Sequence, residues 1–219
     1  MHRLPTNQQR ISIIGKTGSG KTHAGLWHLS MRDFKIPFVV IDTKNDDLFY
    51  EIPHAKIANI HTRFNEGLYI LPVNIDEIES IEPLFYRIWE TQNTGIFIDE
   101  ALDIGKFKSY HRLIRQGRSK NIPIIQLMQR PAGVNRLVIS EAEYFQIFEI
   151  VDEADKDRIM EFVPLPRAWK EEKQSLLESH TSFYYDVAQD KLVKINPLPE
   201  LDEIMETLND KLKKRIVYL

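Results

Sequence analysis

The 219-residue chain has no cysteine. That absence excludes a disulfide framework, a thiolate zinc site and a cysteine nucleophile. It has no apolar run approaching the ~18 residues that a membrane-spanning helix needs. Its opening residues, MHRLPTNQQR, hold no apolar signal core. A soluble, intracellular protein is therefore expected, one that meets a membrane only through a partner. The chain also lacks a basic excess. With a net charge of −3, any contact with nucleic acid has to come from a local patch. There is no internal repeat, low-complexity tract or linker. The length fits one α/β domain, and a hydrophobic fraction of 42% argues for a packed core rather than long disorder.

What the chain does have is a series of short apolar runs. ISIIG (11–15), PFVVID (37–42), GIFID (95–99) and IPIIQLMQ (122–129) read as buried strands. YFQIFEI (144–150) alternates, as a less buried or edge strand would. Short strands are expected near Lys56–Ile60 and Leu68–Leu71. Helical stretches are expected at Lys21–Arg32, around Ile78–Ile88 with Pro83 in a first turn, at Phe107–Lys120 and at Asp155–Phe162. SFYYDV (182–187) and KLVKI (191–195) read as a hairpin. Pro199 to Arg215 reads as a charged amphipathic helix. Strands alternating with helices predict an α/β fold, a mostly parallel sheet covered on both faces, with ligands at the carboxyl ends of the strands.

GKTGSGKT (15–22) fits the G-x-x-x-x-G-K-[ST] phosphate loop at every position and lies between an apolar strand and a helix. Gly15, Gly18 and Gly20 let the loop fold so tightly that the N–H groups of Lys16, Thr17, Ser19 and their neighbours point inward at an anion. Lys21 can reach the β and γ phosphates, and the Thr22 hydroxyl can ligate magnesium. The ligand expected is ATP with Mg²⁺.

GIFIDEA (95–101) supplies the second half of such a site. Asp99 would hold the metal directly or through water. Glu100 would polarise the attacking water, or it caps the helix that follows. Gln129 ends a neighbouring strand, where an amide can donate to the γ-phosphate or position water. DTKND (42–46) is not the Asn-Lys-x-Asp guanine signature, and no arginine-rich kinase lid is visible. An ATPase is favoured over a GTPase or a kinase.

GKTGSGKT, VVIDTK, GIFIDEA, GRSKNI and QRP, in that order over about residues 11–163, resemble the HerA/FtsK superfamily of DNA-pumping ATPases. The stretch at 139–159 is similar to that family's closing strand and helix. The resemblance implies a RecA-like P-loop NTPase fold, here followed by an extension of about 164–219 that holds the hairpin and last helix. It also implies a homo-oligomeric ring, a pentamer or hexamer, that moves double-stranded DNA through a pore. One arginine would reach a neighbour's ATP site. By position in GRSKNI this is Arg118, with Arg115 and Arg130 as alternatives; Arg112, Arg115 and Arg118 read otherwise as one solvated helix face.

A motor with so little added resembles the genome-packaging ATPases of tailless icosahedral viruses with an internal membrane. That resemblance implies a preformed capsid, a capsid-vertex or viral membrane partner, and a place in the host cytoplasm at the packaging vertex. The alternatives are a motor for phage extrusion or conjugation, and a P-loop kinase. Lys106 and Lys108, in DIGKFKSYHR, are candidates for a flexible DNA-facing loop or an ordinary surface loop. Lys211, Lys213, Lys214 and Arg215 read as a solvated basic face or a docking patch.

Overall fold

Each buried apolar run is separated from the next by a connection that holds a helix, and such crossovers return the chain in parallel. The computed structural model describes residues 4–6, 8–166, 169 and 180–215. β1 (Arg10–Ile14) leads through the phosphate loop into α1 (Lys21–Ser30). β2 (Pro37–Asp42), α2 (Asp47–Tyr50), β3 (Lys56–Ile57) and β4 (Gly67–Pro72) follow. A 3₁₀ segment at Ile75–Ile81 enters α3 (Glu82–Thr91), whose first turn holds Pro83. β5 (Gly95–Ile98), α4 (Ala101–Ile104) and α5 (Lys108–Gln116) come next. A second 3₁₀ turn, Gly117–Lys120, precedes β6 (Ile124–Met128). The chain continues with α6 (Arg136–Ser140), β7 (Tyr144–Ile147), α7 (Glu153–Met160), β8 (Ser182–Asp186), β9 (Lys191–Ile195) and α8 (Leu201–Lys213). Parts of the expected C-terminal extension, 170–179 and 216–219, lie outside the described residues.

The nine strands form one sheet in the order β3-β4-β2-β5-β6-β1-β7-β8-β9. β3 through β7 pair in parallel, and β8 and β9 add an antiparallel hairpin. Alternation along each strand splits the core into two layers. Ile11, Ile13, Phe38, Val40, Phe97, Ile125 and Leu127 face α1 and α8. Ile14, Val39, Ile41, Ile96, Ile98, Ile124 and Met128 face α3 and α5. Both faces are covered, so the strands read as continuous apolar runs.

Two polar chains cross this core, each satisfied. Tyr110 Oη donates to Gln126 Oε1 at 2.7 Å, and Gln126 Nε2 donates to Ser12 Oγ at 2.8 Å. On the other face, His28 Nε2 meets Gln146 Oε1 at 2.8 Å, and Gln146 Nε2 donates to Ser182 Oγ at 3.0 Å.

β7 departs from the edge strand its alternation predicts. It lies between β1 and β8, and all four of its residues are buried. Gln146 made it look half-solvated, yet that amide faces a buried imidazole and hydroxyl rather than water. The expected helix over Phe107–Lys120 is α5 followed by the 3₁₀ turn. DIGKFKSYHR is not a flexible loop. Only Gly105–Phe107 separates α4 from α5, and Phe107 and Tyr110 are buried in the core.

Candidate active site

The carboxyl ends of β1, β2, β5 and β6 gather the site. After Ile14 the chain turns through Gly15–Gly20 into α1, with φ of 75° at Gly18 and 100° at Gly20, a region that favours glycine. The loop hangs between two strands. Gly15 N donates to Met128 O at 3.2 Å and Lys16 N to Glu149 O at 2.8 Å. Lys16 Nζ also pairs with Glu149 at 2.7 Å. Lys21 folds back on the loop, donating to Lys16 O at 2.7 Å. Burial lowers its pKa to about 8, helped by the charge of Lys44, while Glu100 and Asp99 oppose the shift.

β5 delivers Asp99, which is fully buried, and Glu100, which is nearly so. One Glu100 oxygen accepts from Leu102 N at 3.4 Å, capping α4, and from Gln129 N at 3.5 Å. The capping role considered from sequence is therefore real, and it leaves the other oxygen facing Lys44. Lys44 follows β2, the neighbour of β5. Its Nζ lies 3.3 Å from Asp99 Oδ2 and 3.5 Å from Glu100 Oε2, and it donates to Asp99 O at 3.2 Å. VVIDTK marks this lysine in the sequence, but only the strand order shows that it meets the Asp-Glu pair.

Burial outweighs Lys44 and pushes Asp99 up to about 6; burial also raises Glu100. Lys44 lies outside hydrogen-bonding alignment with the Asp99 carboxylate. Both Asp99 oxygens and Asp42 Oδ2 have no hydrogen-bond partner among the described residues. A buried carboxylate without a donor is costly, and a cation would satisfy it. Among the described residues no cluster of three or more histidines and carboxylates forms a metal cage. Mg²⁺ in phosphate sites does not require one, because one or two protein oxygens, the phosphates and waters complete its shell. Thr22 and Asp99 fit that role.

Gln129 stands beside the phosphate loop, where its Oε1 accepts from Thr17 Oγ1 at 3.0 Å. Arg130 pairs with Asp152 at 3.3 Å and Asp155 at 3.0 Å on and beside α7. Arg118 is elsewhere. It precedes β6 at the amino end of the sheet, exposed, 3.4 Å from Glu143 Oε1. Arg112 lies over the Trp89 ring, 4.0 Å from its centroid. Lys106 pairs with Glu79 at 2.6 Å, and Lys108 is exposed at the start of α5. The C-terminal basic run is divided. Lys211 donates to Ser30 O and Arg32 O, and Arg215 pairs with Glu66, while Lys213 and Lys214 are exposed.

A strand, phosphate loop and helix, with an Asp-Glu strand end and a strand-end glutamine beside them, define a P-loop ATPase. The profile of the Poxvirus A32 protein family matches residues 1–195, and the chain belongs to that family. It is similar to the DNA packaging ATPase P9 of Enterobacteria phage PRD1, with 38% identity over 213 residues that cover 93% of both chains. Its fold is similar to the genome packaging NTPase B204 of Sulfolobus turreted icosahedral virus 2, solved with AMPPCP. There the TM-score is 0.69 at 15% identity, over 89% of this chain and 100% of that one. EssC ATPases 2 and 3 from Geobacillus thermodenitrificans share the fold at a TM-score of 0.57 and 11% identity, over 94% of this chain and 43% of theirs. Among the described residues no helix is long and apolar enough to cross a membrane.

Proposed function

We infer that the chain is an ATP-driven motor that packages double-stranded viral DNA into a preformed capsid. One observation carries the reading: Lys21, Asp99, Glu100 and Gln129 converge beside a phosphate loop in a chain that is 38% identical to a DNA packaging ATPase. The backbone of Gly15–Thr22 cradles the phosphates. Lys21 leaves its carbonyl and turns to the β and γ oxygens. Thr22 and Asp99 would hold Mg²⁺, which would neutralise charge on those oxygens. The free oxygen of Glu100 accepts a proton from the water that attacks the γ-phosphorus. Gln129 exchanges Thr17 for the γ-phosphate or that water, and so distinguishes ATP from ADP.

Arg118 cannot serve its own site from the opposite end of the sheet. We place it against the ATP of the next subunit in a homo-oligomeric ring, a pentamer or hexamer, where it stabilises transition-state charge. DNA would run through the pore, gripped at its phosphates without regard to sequence. Lys106 and Lys108 are the candidates for that grip, Lys106 after release from Glu79. In this reading residues 1–219 act as a single ATPase domain. A capsid-vertex or viral membrane protein receives the ring, in the host cytoplasm at the packaging vertex.

The test is ATP turnover with and without long duplex DNA, in wild type and Glu100→Gln. DNA should stimulate the wild type, and the variant should lose ~10²–10⁴-fold in turnover while still binding ATP. Turnover indifferent to DNA would overturn the motor. A variant that turns over normally would reduce Glu100 to a helix cap.

A further inference from the structure

The cavity at the phosphate loop does not end where the phosphates would. It has a volume of about 550 Å³, within the ordinary range for a small-molecule site, and it continues past Gly20 to a second wall of different chemistry. The near wall is the phosphate loop with Lys44 and Gln129. The far wall is Phe148, His180, Pro197 and Leu198, with Glu200 at the rim. Two of these rings stand close to the loop itself. A Cβ placed on Gly20 would lie 3.5 Å from His180 Nδ1 and 3.6 Å from Phe148 Cε1. A side chain there would fill the entrance between the walls.

The far wall is built by the C-terminal strap between β9 and α8, and that strap is tied down. His23 Nε2, in the first turn of α1, meets Pro199 O at 2.7 Å. Leu198 packs against the buried core. At the other end of α8, Lys211 Nζ donates to Ser30 O at 2.5 Å and to Arg32 O at 3.0 Å, where α1 ends. α8 therefore runs alongside α1 in the same direction, fastened at both ends of it. The wall is preformed, and such a surface binds a planar ligand with little ordering cost.

We propose that this wall is the base-and-ribose subsite. The adenine of ATP lies against Phe148, His180, Pro197 and Leu198, and the ribose faces Glu200. The inference rests on ATP being the fuel. It extends that reading by making the C-terminal strap a ligand-binding element rather than a trailing one. Rings and aliphatic side chains suit a purine face. The Glu200 side chain does not cap α8, so its carboxylate can accept from the sugar hydroxyls.

The experiment is isothermal titration of the full chain with ATP and with inorganic tripolyphosphate, which has the phosphates but neither base nor sugar. Wild type, Leu198→Asp and His180→Ala are compared. Wild type should bind ATP more tightly than tripolyphosphate. Each variant should weaken ATP roughly ten- to hundredfold and leave tripolyphosphate within about twofold. That pattern also shows that the variants are folded. The subsite is overturned if wild type binds ATP no better than tripolyphosphate, if the variants bind ATP normally, or if both ligands weaken together. If wild type binds neither ligand, the phosphate site itself fails, and this subsite fails with it.

Discussion

At the carboxyl ends of β1, β2, β5 and β6, Lys21, Lys44, Asp99, Glu100, Thr17 and Gln129 crowd around one cavity. At the amino ends of β1, β6 and β7, Arg118 meets Glu143, which is also held by the backbone and guanidinium of Arg10 at 2.7 and 3.1 Å. The first end is buried and has carboxylate oxygens without donors. The second is exposed and electrostatically paired. One sheet thus carries a site short of positive charge at one end and an available positive charge at the other, too far apart to meet within a chain. The difference teaches where to look for the missing half of the chemistry: on another copy.

The sharpest way to break this comparison is to separate the ends genetically. Lys21→Ala and Arg118→Ala should each lose ~10³-fold or more in DNA-stimulated turnover. Mixed in equal amounts they should regain activity, because the interface between them combines an intact phosphate site with an intact arginine. Phosphate release from the mixture is the readout. A fully active Arg118→Ala leaves the amino end with no part in catalysis.

The middle of the sheet should yield to acid. His28 is fully buried, and burial holds its pKa down to about 3, with Gln146 opposing. The unfolded chain, titrating near 6.5, binds a proton that the folded chain refuses. Stability from this group is complete above 6.5 and is lost as pH falls toward 3, on the order of 4 kcal/mol in all. Urea midpoints across that range should fall for wild type and fall less for His28→Gln.

The smallest effect should come from Arg112, whose guanidinium covers Trp89. Arg112→Ala should cost about 0.5–1 kcal/mol in denaturant unfolding and leave turnover unchanged. A loss of turnover would draw this arginine into catalysis beside Arg118.

The two ends also differ in how far they could be read from residues alone. GKTGSGKT and GIFIDEA are local patterns, each bounded by its own apolar strand, so the loop and the Asp-Glu strand end are where the sequence places them. Lys44 is not local. Its role depends on β2 lying next to β5, and strand order is fixed by long-range packing. β7 looked half-exposed because Gln146 interrupts it, and nothing in the pattern says that His28 waits across the core. Phe107 and Tyr110 looked like parts of a mobile loop. Their helix registers place both under α3 and α5 instead. The strap at Pro197–Glu200 has no motif, and only its tie to His23 makes it part of the cavity.

β1 and β6 are parallel neighbours in register, with Ile14 opposite Met128. Gly15 and Gln129 therefore begin one strand spacing apart, about 4.8 Å, and hydrogen bonds along both strands hold that gap fixed. The pair works as a ruler. Loss of the γ-phosphate cannot be reported by strands sliding, only by the Gln129 side chain changing partner. Side-chain reorientation is a picosecond-to-nanosecond event, so the ledge at Gln129 registers the spent fuel almost at once. Arg130, next in the chain and braced by Asp152 and Asp155, is the first rigid part that can carry the signal away. The slow interval of the cycle belongs to the larger bodies that move afterwards.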